Sequence, residues 1–89
     1  MKNIFLGLFI CYLLASPTVL LAQQSSPLLS HEAMKECYEG RVTQDRTSRV
    51  GHFEKGQILG EQAVVLDDRS ADAHFALFCN LGELMRIDG

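Results

Sequence analysis

The chain has 89 residues, of which 21% are charged and 47% hydrophobic, and a net charge of −3 at pH 7. That length holds one small domain at most. An acidic balance without a basic stripe argues against nucleic acid as the partner, because phosphate neutralisation would have to come from Lys and Arg.

The N-terminus reads MKNIFLGLFICYLLASPTVLLAQQSS. Lys2 is followed by an apolar run from Ile4 to Leu14 and then by small and polar residues, the layout of a secretory signal peptide. Residues 1–22 are assigned to it, with cleavage after Ala22. The rival is a membrane anchor over residues 4–22. An anchor wants about 20 continuous apolar residues, and Ser16-Pro17-Thr18 interrupts this run. Cys11 is not a lipid-attachment site, because Ile10 stands where a small residue is needed. Removal of the leader takes Lys2 with it and moves the net charge from −3 to −4. The expected address is the periplasm or the exterior, without stable membrane insertion after cleavage. Only Cys37 and Cys79 survive, and an oxidising compartment permits a disulfide between them. The alternative is a pair of buried thiols acting as small hydrophobes. Spacing does not decide between them, and the thiols are the simpler expectation.

Residues 23–29 form a polar leader. Ser30 then offers a helix cap, with Glu32 in the first turn and Leu29 placed to staple onto Met34. Ala33, Met34, Cys37 and Tyr38 share one face, and Gly40 is expected to end or loosen this helix. Arg41 to Arg49 is polar and highly charged, and Asp45 or Ser48 can cap the next segment. Val50, Phe53, Ile58, Leu59, Ala63, Val64 and Leu66 predict a long second helix. Gly56, Gly60 and Ala63 make a row of small residues along it. A helix-interior Gly costs about 1 kcal/mol relative to Ala, so the row predicts close approach of another helix. Ser70 caps a third helix with Asp72 in its first turn. His74, Leu77, Phe78, Leu81, Leu84 and Met85 predict its main apolar side, while Phe75, Ala76 and Cys79 extend onto another. Such a wide apolar surface expects more than one neighbour. No strand pattern occurs. The fold class is all-α, over residues 30–89: an antiparallel helical hairpin, or three-helix array, after the signal helix.

The stretch FEKGQILGEQAVVLDDRSADAHFALFCNLGELMR, residues 53–86, resembles the tetratricopeptide repeat. In that family a second helix ends in Ala-Leu-x-Leu-Asp-Pro; here Ala63-Val64-Val65-Leu66-Asp67 matches, and Asp68 replaces the Pro. With Ala71 as position one, His74, Leu77 and Leu81 fall at the large positions four, seven and eleven. Gly56 and Ala63 match small positions. Phe78 departs at position eight, where a small residue is usual, and Gly60 stands where an aromatic is preferred. An ordinary antiparallel helix pair remains the alternative. The resemblance implies about one and a half repeats, whereas such arrays use three or more to bury a continuous core. It also implies a C-terminus cut before the next helix. Separately, burial and ordering entropy come close to balance in so small a chain, which predicts weak stability unless self-association or further chain covers the apolar surface.

No catalytic constellation appears. His31-Glu32-Ala33-Met34-Lys35 lacks the second His of a zinc-protease helix. His74 and Cys79 are about 140° apart around a helix and do not converge on one ion. His74 is expected inside with its ring nitrogen satisfied. His52 has no evident partner, and Asp67-Asp68 reads as a solvated turn. Cys79 has no neighbouring base to make it a nucleophile. No metal and no cofactor are assigned. The resemblance implies that first helices line a groove holding peptides, and carries onto Asp72, Phe75, Cys79, Gly82 and Glu83. A partner segment with basic residues would suit an aromatic between acids, and the alternative is that Phe75 and Cys79 are simply covered. The expected function is a non-enzymatic protein–protein interaction or scaffolding module of the periplasm or cell envelope. Its alternatives are a small thiol/disulfide protein using Cys37 and Cys79, and an accessory subunit of an envelope transport complex.

Overall fold

Three helices make up the structure, a computed structural model that describes residues 25–88. They are α1 (Ser26–Val42), α2 (Arg46–Leu66) and α3 (Ala71–Asp88), with no strand among the described residues. The signal-peptide, anchor and Cys11 assignments lie outside those residues. None of the three helices is long and apolar enough to cross a membrane.

Each helix start is set by a side chain that accepts an otherwise unpaired amide. The Leu28 amide donates to Ser25 Oγ (3.3 Å), the Ser48 amide to Asp45 Oδ2 (2.9 Å) and the Ala73 amide to Ser70 Oγ (3.1 Å). The first helix therefore begins at Ser26 rather than behind a Ser30 cap. Pro27 fits in that first turn because its missing N–H has no helical acceptor to find there. Ser30 is buried one turn further on, its hydroxyl donating to the Ser26 carbonyl (2.7 Å). Between α2 and α3 the Arg69 amide donates to Asp67 Oδ1 (3.1 Å) and the Ser70 amide to the Asp67 carbonyl (3.2 Å). That side-chain turn does at Asp67-Asp68 what a Pro would otherwise do by fixing the backbone.

α1 and α2 run antiparallel, as do α2 and α3, so α1 and α3 lie parallel and each helix packs on both others. The contact surfaces are made of small residues. Ala33, Ala63, Ala73 and Ala76 are fully buried, and the largest fully buried side chains are Phe53, Asn80 and Cys37. A Cβ on Gly56 would overlap the Asn80 side-chain amide. One on Gly60 would stand 2.9 Å from the Leu77 Cα, so the small-residue row is where α3 comes closest to α2. Gly40 does not end α1. It lies inside the helix, where its bare backbone seats the Phe53 ring.

Close approach changes which face of α3 is buried. The buried stripe is Ala73, Ala76, Asn80 and Glu83, while Phe78 and Met85, expected inside, are mostly exposed. Helices drawn together at Gly56 and Gly60 leave no room between them for large side chains, which go to the flanks. His74 is likewise only half-buried. Its Nε2–H donates to the Asp68 carbonyl at 2.7 Å, so the ring is satisfied outside the core. Asn80 donates through Nδ2 to the Ala33 carbonyl of α1 (3.0 Å) and to Ala76 of its own helix (2.9 Å). One amide so hydrogen-bonds α3 to α1 while packing against Gly56 of α2.

Candidate functional site

The parallel seam between α1 and α3 carries most of the residues singled out in the sequence. Its register is set twice, at sequence separation 42: Cys37 is disulfide-bonded to Cys79, with Cα atoms 6.2 Å apart, and Arg41 pairs with Glu83. The sulfurs are thus joined rather than held as separate thiols. Cys37 is fully buried, and Cys79 is half-buried at the seam. The disulfide lies midway along the seam, with one cleft on either side.

Towards the start of both helices, Pro27, Ser30, His31 and Met34 of α1 face Asp72 and Phe75 of α3 across a cleft of about 360 Å³. Phe75 is 65% exposed at its rim and Asp72 is exposed. Two of the expected groove positions, Asp72 and Phe75, therefore share one cleft, and Cys79 is drawn into the cross-link between the helices. Gly82 is exposed with no neighbouring element.

Glu83 does not present an acid to the groove. It is 8% exposed and held by Arg41 Nε at 3.7 Å and Arg86 Nη1 at 3.2 Å. Arg41 also lies 5.8 Å over the Tyr38 ring, a cation–π contact on the outer face of α1. Around Glu83 opens a second cleft of about 580 Å³, lined by Arg41, Arg46, Arg49, Glu83, Arg86 and Ile87.

On the other side of α1, His52 does have a partner. Its Nδ1 lies 2.7 Å from Glu36 Oε2 and 3.8 Å from Glu39 Oε2, and Lys55 Nζ is 3.4 Å from Glu36 Oε1. Burial of Glu36 works to raise its pKa, but hydrogen bonds and charge from His52 and Lys55 outweigh it, so the carboxyl sits below its ordinary value. One donor atom from each of Glu36, Glu39 and His52 lies within 4.8 Å of the others, spacing within which a cation can be drawn in. Glu36 is already engaged through both oxygens, by the imidazole and by the Lys55 ammonium. The cluster is accordingly a network, a His52 hydrogen bond and a Lys55 ion pair on one carboxylate, that clamps α1 to α2. Sixteen residues of separation between Glu36 and His52 leave no local period from which the pairing could be read.

No nucleophile–base pair emerges among the described residues: the only cysteines are bonded, and His31, His52 and His74 are far apart in the chain and occupied or exposed. Comparison of the chain with protein families, with curated proteins and with solved structures gives no match.

Proposed function

We propose that this chain is a non-catalytic interaction module of the periplasm or cell envelope, which takes a segment of a partner protein along the seam between α1 and α3. The observation that carries the reading is Phe75, an aromatic ring two-thirds exposed at the rim of a cleft whose opposite wall is α1. Exposing a Phe costs the folded chain the burial it would otherwise gain, about 1.5–3 kcal/mol, and a docking segment recovers it. The resemblance to tetratricopeptide repeats supports the same surface, since it implies that a first helix opening at Ala71 lines a peptide groove. Asp72 beside the cleft favours a segment that pairs an apolar side chain with a basic one. Export is supported by the leader-like N-terminus and by the disulfide, which persists in oxidising compartments.

The rival redox function is disfavoured by access. Thiol–disulfide exchange needs a sulfur open to attack, and Cys37 is fully buried while Cys79 is only partly open. The test uses the full chain made in its natural cells, with a photo-reactive phenylalanine replacing Phe75. A discrete adduct with another protein is expected, absent when the same probe replaces Glu61 on α2. Equal labelling from both positions, or an adduct containing only this chain, would overturn the reading.

A further inference from the structure

The second cleft is built from charge in a way that the partner-groove reading does not use. Four arginines, Arg41 at the end of α1, Arg46 and Arg49 at the start of α2, and Arg86 at the end of α3, line it together with a single carboxylate, Glu83, which pairs with Arg41 and Arg86 alone. In a chain of net charge −3 this places an excess of three positive charges around one cleft. Glu83 is shared by Arg41 and Arg86, and Asp45, the acid next to Arg46 in the chain, is committed to the Ser48 amide. Among the described residues neither Arg46 nor Arg49 has an ion-pair partner, and the buried Nε of Arg49 finds no acceptor. The location is also unfavourable for cations. α2 has no acidic residue in its first turn, and the positive end of its dipole lies beside Arg46 and Arg49. Repulsion there falls when an anion sits between them, and the same helix end attracts that anion.

We propose that this cleft binds a small anion bearing phosphoryl groups. Phosphoryl chemistry fits better than a lone carboxylate on two counts. Its oxygens project in three directions, matching donors arriving from three helices, whereas a carboxylate offers its acceptors in one plane. It also brings about 1.5–2 negative charges per group, more than a carboxylate's one to set against the excess of three positive charges. A volume of about 580 Å³ admits an organic phosphate as well as the bare ion. This inference stands apart from the partner-segment reading, because it rests on arginines at the opposite end of the seam from Phe75.

The test is a titration of the full, disulfide-intact chain, labelled with nitrogen-15, at about 10 mM ionic strength, where charges act over about 30 Å. Inorganic phosphate, pyrophosphate and ribose 5-phosphate are added in separate arms, with sodium chloride matched in ionic strength and a tetraglutamate peptide as comparisons. The Arg49 Nε–H resonance is expected to shift and saturate with pyrophosphate and the sugar phosphate. Affinity should fall about tenfold or more in Arg46→Gln and further in Arg46→Gln/Arg86→Gln. Both side chains are exposed, so helicity measured alongside should stay unchanged. Saturation by inorganic phosphate alone reduces the ligand to the free ion; saturation by the organic phosphate at lower concentration supports an ester. A shift no larger than that from chloride, or one that survives the double substitution, overturns the proposal. Tighter binding of tetraglutamate than of pyrophosphate overturns it too, and hands the cleft to acidic peptides.

Discussion

Reducing or deleting the Cys37–Cys79 bond should be the most damaging single change to this fold. The bond closes a loop with a sequence separation of 42. In the chain-entropy treatment, cross-linking a loop of that size removes about 13 cal/mol/K from the unfolded ensemble, or about 4 kcal/mol at 25 °C. Apart from Phe53, the buried hydrophobic residues among those described are Leu29, Cys37 and alanines, so few large side chains offset such a loss. For a domain of 60–100 residues each kcal/mol moves Tm by about 4–8 °C, and the predicted drop is therefore about 16–32 °C. The measurement is reversible urea and thermal unfolding of the oxidised chain, the same chain with reductant, and Cys37→Ala/Cys79→Ala. The reduced wild type keeps both sulfurs in place, which separates loss of the cross-link from loss of packing. A decrease below about 1 kcal/mol on reduction would refute the argument that unfolded-state entropy carries this fold.

Single substitutions at other sites give two more expected outcomes. Gly60→Ala should lower stability by about 1–2 kcal/mol although Ala is the better helix former, since its Cβ would stand 2.9 Å from the Leu77 Cα and a helix backbone shifts less cheaply than a flexible side chain. Gly82→Ala, with nothing within 4 Å, should instead add up to about 1 kcal/mol; equal effects at the two sites in urea titrations would contradict the close α2–α3 approach. Glu36 has a folded-state pKa below its ordinary value of 4.5, so the unfolded chain binds more protons as the solution is acidified. Its contribution is fully present above pH 4.5 and is lost as pH falls through the folded pKa. The advantage of wild type over Glu36→Gln should therefore shrink between about pH 5 and pH 3, and a difference independent of pH would show that the His52–Lys55 clamp contributes nothing.

The sequence was readable where the cause is local. Asp45 and Ser70 cap as their positions predict, because capping depends on residues two or three apart. Ser25 was hidden by Pro27 and by a polar first turn, since the apolar period begins only at Leu29. Gly40 looked like a stop for the same reason that it is useful: a missing side chain both weakens a helix and admits Phe53, and only the facing helix decides which matters. On α3, hydrophobicity alone ranks Phe78 and Met85 above Ala73 and Ala76. Burial follows size instead, because Gly56 and Gly60 have already fixed a short distance between helices. The arginine cleft draws on positions 41, 46, 49 and 86, and no short window along the chain contains all four.

One consequence links these features. The α1–α3 seam has the Phe75 cleft at one end and the arginine cleft at the other, with the disulfide between them. Parallel helices in contact through small residues have little to stop them sliding, since small side chains interlock weakly across a seam. Here sliding is opposed at three points: the Cys37–Cys79 bond, the Asn80 hydrogen bond to Ala33, and the Arg41–Glu83 pair. The last is partly exposed on the Arg41 side and contributes modestly in water. The covalent bond therefore dominates the register of the α1 and α3 walls that both clefts use. A cross-link that only cycled between redox states would change both surfaces each time it opened. A permanent one keeps them preformed, which is the use a binding surface has for it.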